Sequence, residues 1–546
     1  MSVCCDITRL PLGKTGFLDI RNRDKIYVDK TQLIAHMASL DSPLFLSRPR
    51  RFGKSLLVDM LHTLFARGLE PFHGLALEEL WRDTTYNVVH IDFSSLASKD
   101  PNAFAKALRN KILYEFDIHD KNIALDITGE CRSPDEIFGI IADDLVDNST
   151  VLLIDEYDAP LTHHMSNVDD LQNIMRILNS FYAVIKEYSR KFRFIFMTGA
   201  TRTAHVSIFS AFNNLRDLSL EKEYNALLGF TEDEIRKYFD QFVGNAANTL
   251  GLSKNAVYAR LAQWYDGFQF ALDAGETLYN PWSVLSFLQS PKNGFQNYWY
   301  QSGGISTLVA SYLKVHDNVD FMNYDSREIV VDRQQLADRY ELADMPREIL
   351  LWQAGYFSLR TRPSGSLRLV PPNGEVEASL LRLYFTANNL KPEAHTRELI
   401  EQLVAPIDRM DLLTIVGTFN AILHTCVSPK AAIFKDERSV RDIIFTALFL
   451  FAPLQLLKER ESVRGYSDLE LITSKTHMVI AFTRTYPKGE TGSSPRDAKA
   501  SLAEAIDQIE SHHYGEAPFS VQTLFRVAMV ISTEEKKILP EYCAIV

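Results

Sequence analysis

Over residues 1–220, short apolar runs alternate with amphipathic stretches. "SPLFLS" (Ser42–Ser47), "YNVVHIDFSS" (Tyr86–Ser95), "TVLLIDEYD" (Thr150–Asp158) and "FRFIFMTGA" (Phe192–Ala200) predict four strands. The segments between them, such as "KSLLVDMLHTLFARG", have helical spacing. Strands joined through helices imply right-handed crossovers and a parallel sheet buried on both faces. This first α/β region is expected to be one domain. From 221 to 430 the spacing is mostly helical, with strand candidates at "GYFSLR" and "SLRLV", and a helical lid and middle region is expected there.

After residue 431 the order changes to a long apolar helix, two strands, a polar loop, a helix and a strand. That order predicts a separate α/β module over 431–546. Its two strands lie in "GYSDLELITSKTHMVIAFTR" (Gly465–Arg484), an apolar pair with acidic residues on the first strand. The longest apolar run, Ile443–Leu457, is broken by Thr446, Pro453 and Gln455. It falls short of the roughly 20 residues that span a bilayer and reads as a buried helix.

Composition narrows the class. The chain has 546 residues and a formal charge of −12, so contact with nucleic acid would need a local basic patch. Five widely spread cysteines (Cys4, Cys5, Cys131, Cys426, Cys543) suit a reducing compartment. Neither they nor the adjacent pairs His163-His164 and His512-His513 have metal-site spacing. The N-terminus lacks the apolar core of a signal peptide, so a cytoplasmic protein without a membrane anchor is expected.

Candidate chemistry begins with "SRPRRFGKSLL", which sets Gly53-Lys54-Ser55 between a strand and a helix. In a P-loop, backbone N–H groups at a helix N-terminus cradle phosphate oxygens. Lys54 would neutralise the β- and γ-phosphates and Ser55 would offer its hydroxyl to Mg2+. The first glycine of the usual pattern falls at Arg48, so the strict motif fails there. A helix N-terminus that merely contains Gly-Lys-Ser is the competing reading. "VLLIDEYD" then ends a strand in Asp155-Glu156, as in a Walker B strand. Asp155 can hold Mg2+ through water, and Glu156 can polarise an attacking water. Thr198, Thr201 and Arg202 leave the fourth strand, where they would sense a phosphate, stabilise charge or simply form a turn.

The series "YVDKTQLI", "RPRRFGKSLL", "VVHIDFSS", "LLIDEYDAPL", "MTGATRTAHVSIFSAFNNLRDLSL", "LLGFTEDEI", "YDGFQF" and "YNPWSV" resembles AAA-ATPase-like proteins that end in a PD-(D/E)XK nuclease-superfamily domain. The resemblance implies a P-loop NTPase sheet of AAA type, a helical lid from Thr231 onwards and a restriction-endonuclease-like α/β module. It implies ATP and Mg2+ as ligands, with ATP held by Arg48, Pro49, Arg50, Arg51, Phe52, Gly53, Lys54 and Ser55. Arg48 is typical of that family's loop. Arg50 and Arg51 would face phosphate or cap neighbouring carboxylates. Tyr27, Asp29 and Lys30 precede the nucleotide site with no role deducible from sequence. The aromatics of "WYDGFQF" and "YNPWSV" would stack on a base or, more commonly, lie buried beside a turn.

By the same resemblance, the C-terminal module should carry a Glu, a Gly-Arg-x-Asp strand, a Glu-x-Lys strand and a Gln-Ile helix. Here those positions hold Glu461, Asp468, Ala481 with Thr483, and Gln508, with Tyr514 beyond. Ala481 supplies no ligand for a hard ion and Thr483 no charge, so a degenerate site is expected. Glu470, or charge from Arg484 or Lys488, would be the relocated alternative. The expected function is ATP binding and hydrolysis, with nucleotide state controlling a non-cleaving module that recognises DNA or RNA. An ATP-regulated nuclease and a non-hydrolysing scaffold are the alternatives. A homo-oligomer or a protein partner is left open.

Overall fold

The computed structural model describes residues 6–96, 100–118, 132–164, 167–202, 215–302, 309, 329–338, 340, 345–362, 365–387, 398–400, 402–426, 437–451, 455–462, 465–473, 475–485, 497–512 and 523–546. The chain divides into two compact units, one of Met1–Val319 with Asn323–Leu380, the other of Asp320–Met322 with Leu381–Val546. The stretch expected as lid and middle region is therefore shared, its part up to Leu380 belonging to the first unit.

The first unit is built on a parallel sheet of β1 (Leu44–Ser47), β2 (Asn87–Asp92), β3 (Thr150–Asp155), β4 (Phe192–Gly199) and the short β5 (Arg216–Asp217). Its order is β2-β3-β4-β1-β5, every pairing being parallel. The four expected strands form within three residues of their sequence limits, the second and third ending three residues early. Strand β4 lies between β1 and β3, so its C-terminal end faces the gap between the Gly-Lys-Ser loop and Asp155-Glu156.

Helix α1 (Lys54–Arg67) buries Leu57, Leu61, Leu64 and Phe65. Helices α2 (Pro101–Glu115), α3 (Pro134–Asp144) and α4 (Val168–Glu187) bring Leu108, Phe138 and Phe181 into one core with Val89, Ile154 and Met197 of the strands. Residues with a 3.6 period thus close on the apolar positions of the strands, β3 being buried at all six positions. Such complete burial holds the strand ends, and the polar residues that leave them, in fixed positions.

Beyond the sheet come α5 (Glu232–Leu250), α6 (Lys254–Tyr265) and α7 (Pro281–Gln289). Thr231 caps α5 in a reciprocal box with Glu234. Phe239, Val243, Leu261, Val284 and Leu285 form a second core that also takes in Leu10 and Val28 from the N-terminal segment. A short helix α8 (Tyr298–Gln301), an antiparallel sheet of β6 (Ile329–Val331), β7 (Ser358–Thr361) and β8 (Leu367–Val370), and the start of α9 (Gly374–Ala387) complete the unit.

The second unit contains α10 (Leu412–Cys426), α11 (Glu437–Phe451) and α12 (Ala498–His512). Its mixed sheet has the order β13-β12-β11-β10-β9, from β9 (Gln455–Ser462) to β13 (Lys537–Ile545). Strand β10 (Gly465–Ile472) is antiparallel to β9 and to β11 (Thr476–Arg484). Strand β12 (Thr523–Ser532) runs parallel to β11 through the α12 crossover. The apolar run at 443–457, expected as one helix, is corrected: α11 ends at Phe451 and the chain is in β9 by Gln455. Pro453 stands between the two, and proline cannot continue a helix ladder. Among the described residues, no helix is long and apolar enough to cross a membrane.

Candidate nucleotide site

The loop between β1 and α1 is shaped by two left-handed residues, Arg51 (φ 71°) and Gly53 (φ 101°). Gly53 caps α1 without a side-chain bond, so the helix N-terminus stays open to a ligand. Lys54 is buried, and its ammonium donates to the carbonyls of Arg48 (2.8 Å) and Pro49 (3.2 Å). Burial lowers its pKa, while Glu156, Asp155 and Asp158 oppose the shift. An ammonium curled onto its own loop can exchange those carbonyls for phosphate oxygens without leaving the loop.

Asp155 ends β3 at 4% exposure. Burial raises its pKa, opposed by a hydrogen bond from Ser55 and the charge of Lys54. A hydroxyl and a carboxylate already in contact form an oxygen pair that fits Mg2+. Glu156 follows in the left-handed region (φ 48°), an unfavourable conformation for a non-glycine residue. Its pKa is raised by burial, against the pull of Lys54. Lys54, Ser55 and Glu156 line a cavity of about 590 Å³ together with Phe230, Phe239, Trp282 and Leu285 from the helices beyond the sheet and with Tyr27 and Val28. That volume lies in the range of small-molecule sites.

Arg48 and Phe52 of the loop are spent on scaffold. Arg48, expected among the phosphate contacts, is 1% exposed. Its guanidinium donates to the carbonyls of Ser47 (2.8 Å), Ser219 (2.9 Å) and Tyr224 (3.0 Å) and lies 4.5 Å from the centre of the Phe270 ring. Only its backbone carbonyl reaches Lys54. Phe52 inserts edge-on between Phe268 (4.8 Å) and Phe270 (5.0 Å). "WYDGFQF" therefore grips the loop through its aromatics. Arg51 reaches out to α7 and α8, donating to Ser302 O (2.8 Å) with its guanidinium 4.4 Å from the Trp282 ring. The indole N–H of Trp299 donates to Arg50 O (3.3 Å).

Pro49 packs on Gly355 (φ 90°), where an added Cβ would come within 2.7 Å of the proline. Gly355→Ala is expected to cost about 2–3 kcal/mol, from backbone strain plus overpacking, and to weaken ATP binding. Gly275→Ala, also at positive φ but with open space around it, should cost only about 1 kcal/mol. Chemical denaturation of the two variants checks the difference, and equal losses would remove the role given to the Pro49 contact.

The three residues expected as sensors, or else as a turn, are bonded within the fold. The Thr198 hydroxyl donates to Leu46 O (2.8 Å) and is fully buried between strands. The Thr201 hydroxyl donates to Asp158 (2.6 Å), which also accepts the backbone N–H groups of Ala200 and Thr201. Arg202 is 4% exposed, paired with Asp217 (2.8 Å) and bonded to Leu336 O (2.6 Å). All three brace the exit of β4. Tyr27, Asp29 and Lys30 gain a role: Lys30 pairs with Glu234 (2.6 Å) and so ties the N-terminal segment to α5. Asp29 accepts from Thr31 and Ala76.

In the second unit, Asp468 accepts the backbone N–H of Phe482 (2.7 Å) and faces Arg441 of α11 at 3.6 Å. Ala481 is sealed in an apolar cluster with Val479, Ala505, Ile509 and Ala528. Thr483 is 5% exposed. Glu470, the relocated-ligand candidate, is buried and committed to Ser467 (2.7 Å) and His477 (2.8 Å). The backbone N–H of Arg484 donates to Glu437. Gln508 lies on α12, half-buried. Glu461 pairs in register with Tyr466, but its side chain, like Lys488 and Tyr514, lies outside the described residues. Among the described residues, no group of three or more His, Cys, Asp or Glu could hold a metal ion. Restoring the carboxylate by Ala481→Glu should destabilise this unit by about 2–4 kcal/mol, because it buries a charge in a dry cluster. A melting curve unchanged by that substitution would show the position to be open.

A glycine-bent loop between a parallel strand and a helix, answered across β4 by an acidic strand end, is an α/β arrangement consistent with a P-loop-like domain. Residues 11–209 match the family model described as predicted AAA-ATPase. The chain is also 33% identical over 382 residues to the "Uncharacterized protein in vnfD 5'region" of Azotobacter chroococcum mcd 1, covering 68% of this chain and 69% of that protein. This chain belongs to that predicted AAA-ATPase family.

Proposed function

We propose that the first unit binds ATP with Mg2+ and hydrolyses it. The observation that carries this is the convergence of Lys54, Ser55 and Glu156 on one lidded cavity, with Asp155 bonded behind Ser55. The open N-terminus of α1 and Lys54 receive the β- and γ-phosphates. Ser55 and Asp155 would hold Mg2+, which when bound neutralises charge on those phosphates. Glu156 orients and deprotonates the attacking water, and burial raises its pKa towards the range that suits a general base. The Arg51–Trp282 contact links the phosphate loop to the lid, so a nucleotide that draws on the loop also acts on α7.

For the second unit we infer a nuclease-like scaffold without cleavage chemistry, whose recognition of a partner follows nucleotide state. Support comes from the order α11, β9, β10, β11, α12, β12 and from the packed Ala481. The test is hydrolysis by the purified full chain with and without DNA and RNA, together with analysis of the nucleic acid. Nucleotide-dependent binding of intact nucleic acid supports the reading. Mg2+- or Mn2+-dependent cleavage that disappears in Asp468→Ala would overturn the second part. Failure to hydrolyse ATP would overturn the first.

A further inference from the structure

Six cationic or imidazole side chains line the 590 Å³ cavity: Lys14, Lys30, Arg50, Arg51, Lys54 and His163. Lys14 pairs with Asp19 (2.7 Å) and Lys30 with Glu234 (2.6 Å). Arg51 is held by Ser302 and Trp282. Lys54 is held by its loop. Arg48 and Arg202 are fixed in the scaffold, away from this lining. His163 is exposed, which leaves Arg50 as the partly buried one with its donors unspent. Its backbone is clamped through the Trp299 indole on its carbonyl and through Gly355 on the preceding Pro49. Its guanidinium, however, has no hydrogen-bond or ion-pair partner among the described residues and faces the cavity with Lys54 and Glu156.

A partly buried arginine with its donors unspent, on a rigid backbone, fits a multiply charged oxyanion. We propose that Arg50 meets the terminal phosphate, an arginine supplied from within the phosphate loop itself, so that the charge-stabilising set is complete in one chain. The proposal rests on the ATPase reading above. In that reaction water attacks the γ-phosphorus and its proton passes to Glu156. The bond to the β–γ bridging oxygen breaks, and ADP leaves with the electron pair. Negative charge grows on the bridging oxygen, beside Lys54, and stays spread over the γ-oxygens, beside Arg50. The electrostatic neighbourhood agrees, since the Arg50 charge favours ionisation of Glu156 and opposes protonation of Lys54.

The test compares wild-type full chain with Arg50→Ala and Arg50→Lys, measuring ATP and ADP affinity, turnover and melting temperature. Arg50→Ala should slow turnover by about 10²-fold or more. Its preference for ATP over ADP should fall by about tenfold, with melting within about 2 °C of wild type because no contact is lost. Arg50→Lys should recover part of both effects. Wild-type turnover per chain should not change with protein concentration. Turnover and ATP preference of Arg50→Ala within about threefold of wild type would overturn the proposal. So would turnover per chain that rises with concentration, which would place the arginine on a second copy. A wild-type chain that binds ATP without hydrolysing it leaves the affinity ratio to decide. A wild-type chain that binds no nucleotide would bring down the ATPase reading, and this inference with it.

Discussion

Glu156→Gln is expected to bind ATP within about threefold of wild type while turning it over roughly 10²–10⁴-fold more slowly. Glutamine keeps the size of the side chain and its place in the left-handed turn after β3. It cannot take a proton from water. Lys54→Ala should behave differently and lose affinity as well as turnover, because its buried ammonium is the cation that would neutralise the phosphates. The pH profile adds a second signature. Burial raises the pKa of Glu156 above its ordinary value, so a base that must be ionised fails from higher pH than an exposed carboxylate would. The acid limb of kcat/KM should therefore lie above the normal glutamate range of about 4.3. Steady-state kinetics on the two variants, with nucleotide binding measured separately, check each point. Turnover that survives both substitutions would remove this site from the chemistry.

The residues that line the candidate site, Lys54 and Glu156, carry local signals: a strand, a Gly-Lys-Ser turn, and a second apolar strand ending in two acids. The arginines were not. Whether Arg48, Arg50, Arg51 or Arg202 meets a ligand depends on partners far along the chain, such as Tyr224 O, Trp282 and Leu336 O. Motif reading placed all four near phosphate, and the fold spends three of them on carbonyls, rings and a carboxylate. Two of the strands missed by sequence share a cause. Strands β9 and β13 are the two edges of the second sheet. "QLLKERES" has only two apolar residues and "KILPEYCAI" contains Pro540. Edge strands tolerate charge and proline because one side of the ladder is unpaired, so they lose the apolar pattern that marks central strands.

Glu375 left no sequence signal at all, yet its substitution should change stability as much as any in the first unit. Its carboxyl is fully buried on α9, accepting the backbone N–H of Trp299 (2.8 Å). Burial pushes its pKa up to about 8, against the backbone bonds from Trp299 and Tyr298 and the hydroxyl of Ser283. Its other ionisable neighbours are the phenols of Tyr265 and Tyr298, themselves pushed up by burial. The native state therefore holds this proton up to about pH 8, whereas the unfolded chain releases it near 4.5. Between those limits the native state binds the extra proton, so raising the pH favours unfolding. The loss accumulates to the order of 4–5 kcal/mol if nothing else relaxes. Glu375→Gln keeps an acceptor for Trp299 and removes the titration. The variant should match wild type near pH 5 and exceed it by several kcal/mol near pH 8. Because Trp299 also holds the Arg50 carbonyl, ionisation of Glu375 should loosen the phosphate loop, and ATP affinity of the wild type should fall over the same interval. Urea unfolding of both proteins across that range is the measurement. Parallel stability profiles would mean that the buried carboxyl is already ionised in the native state.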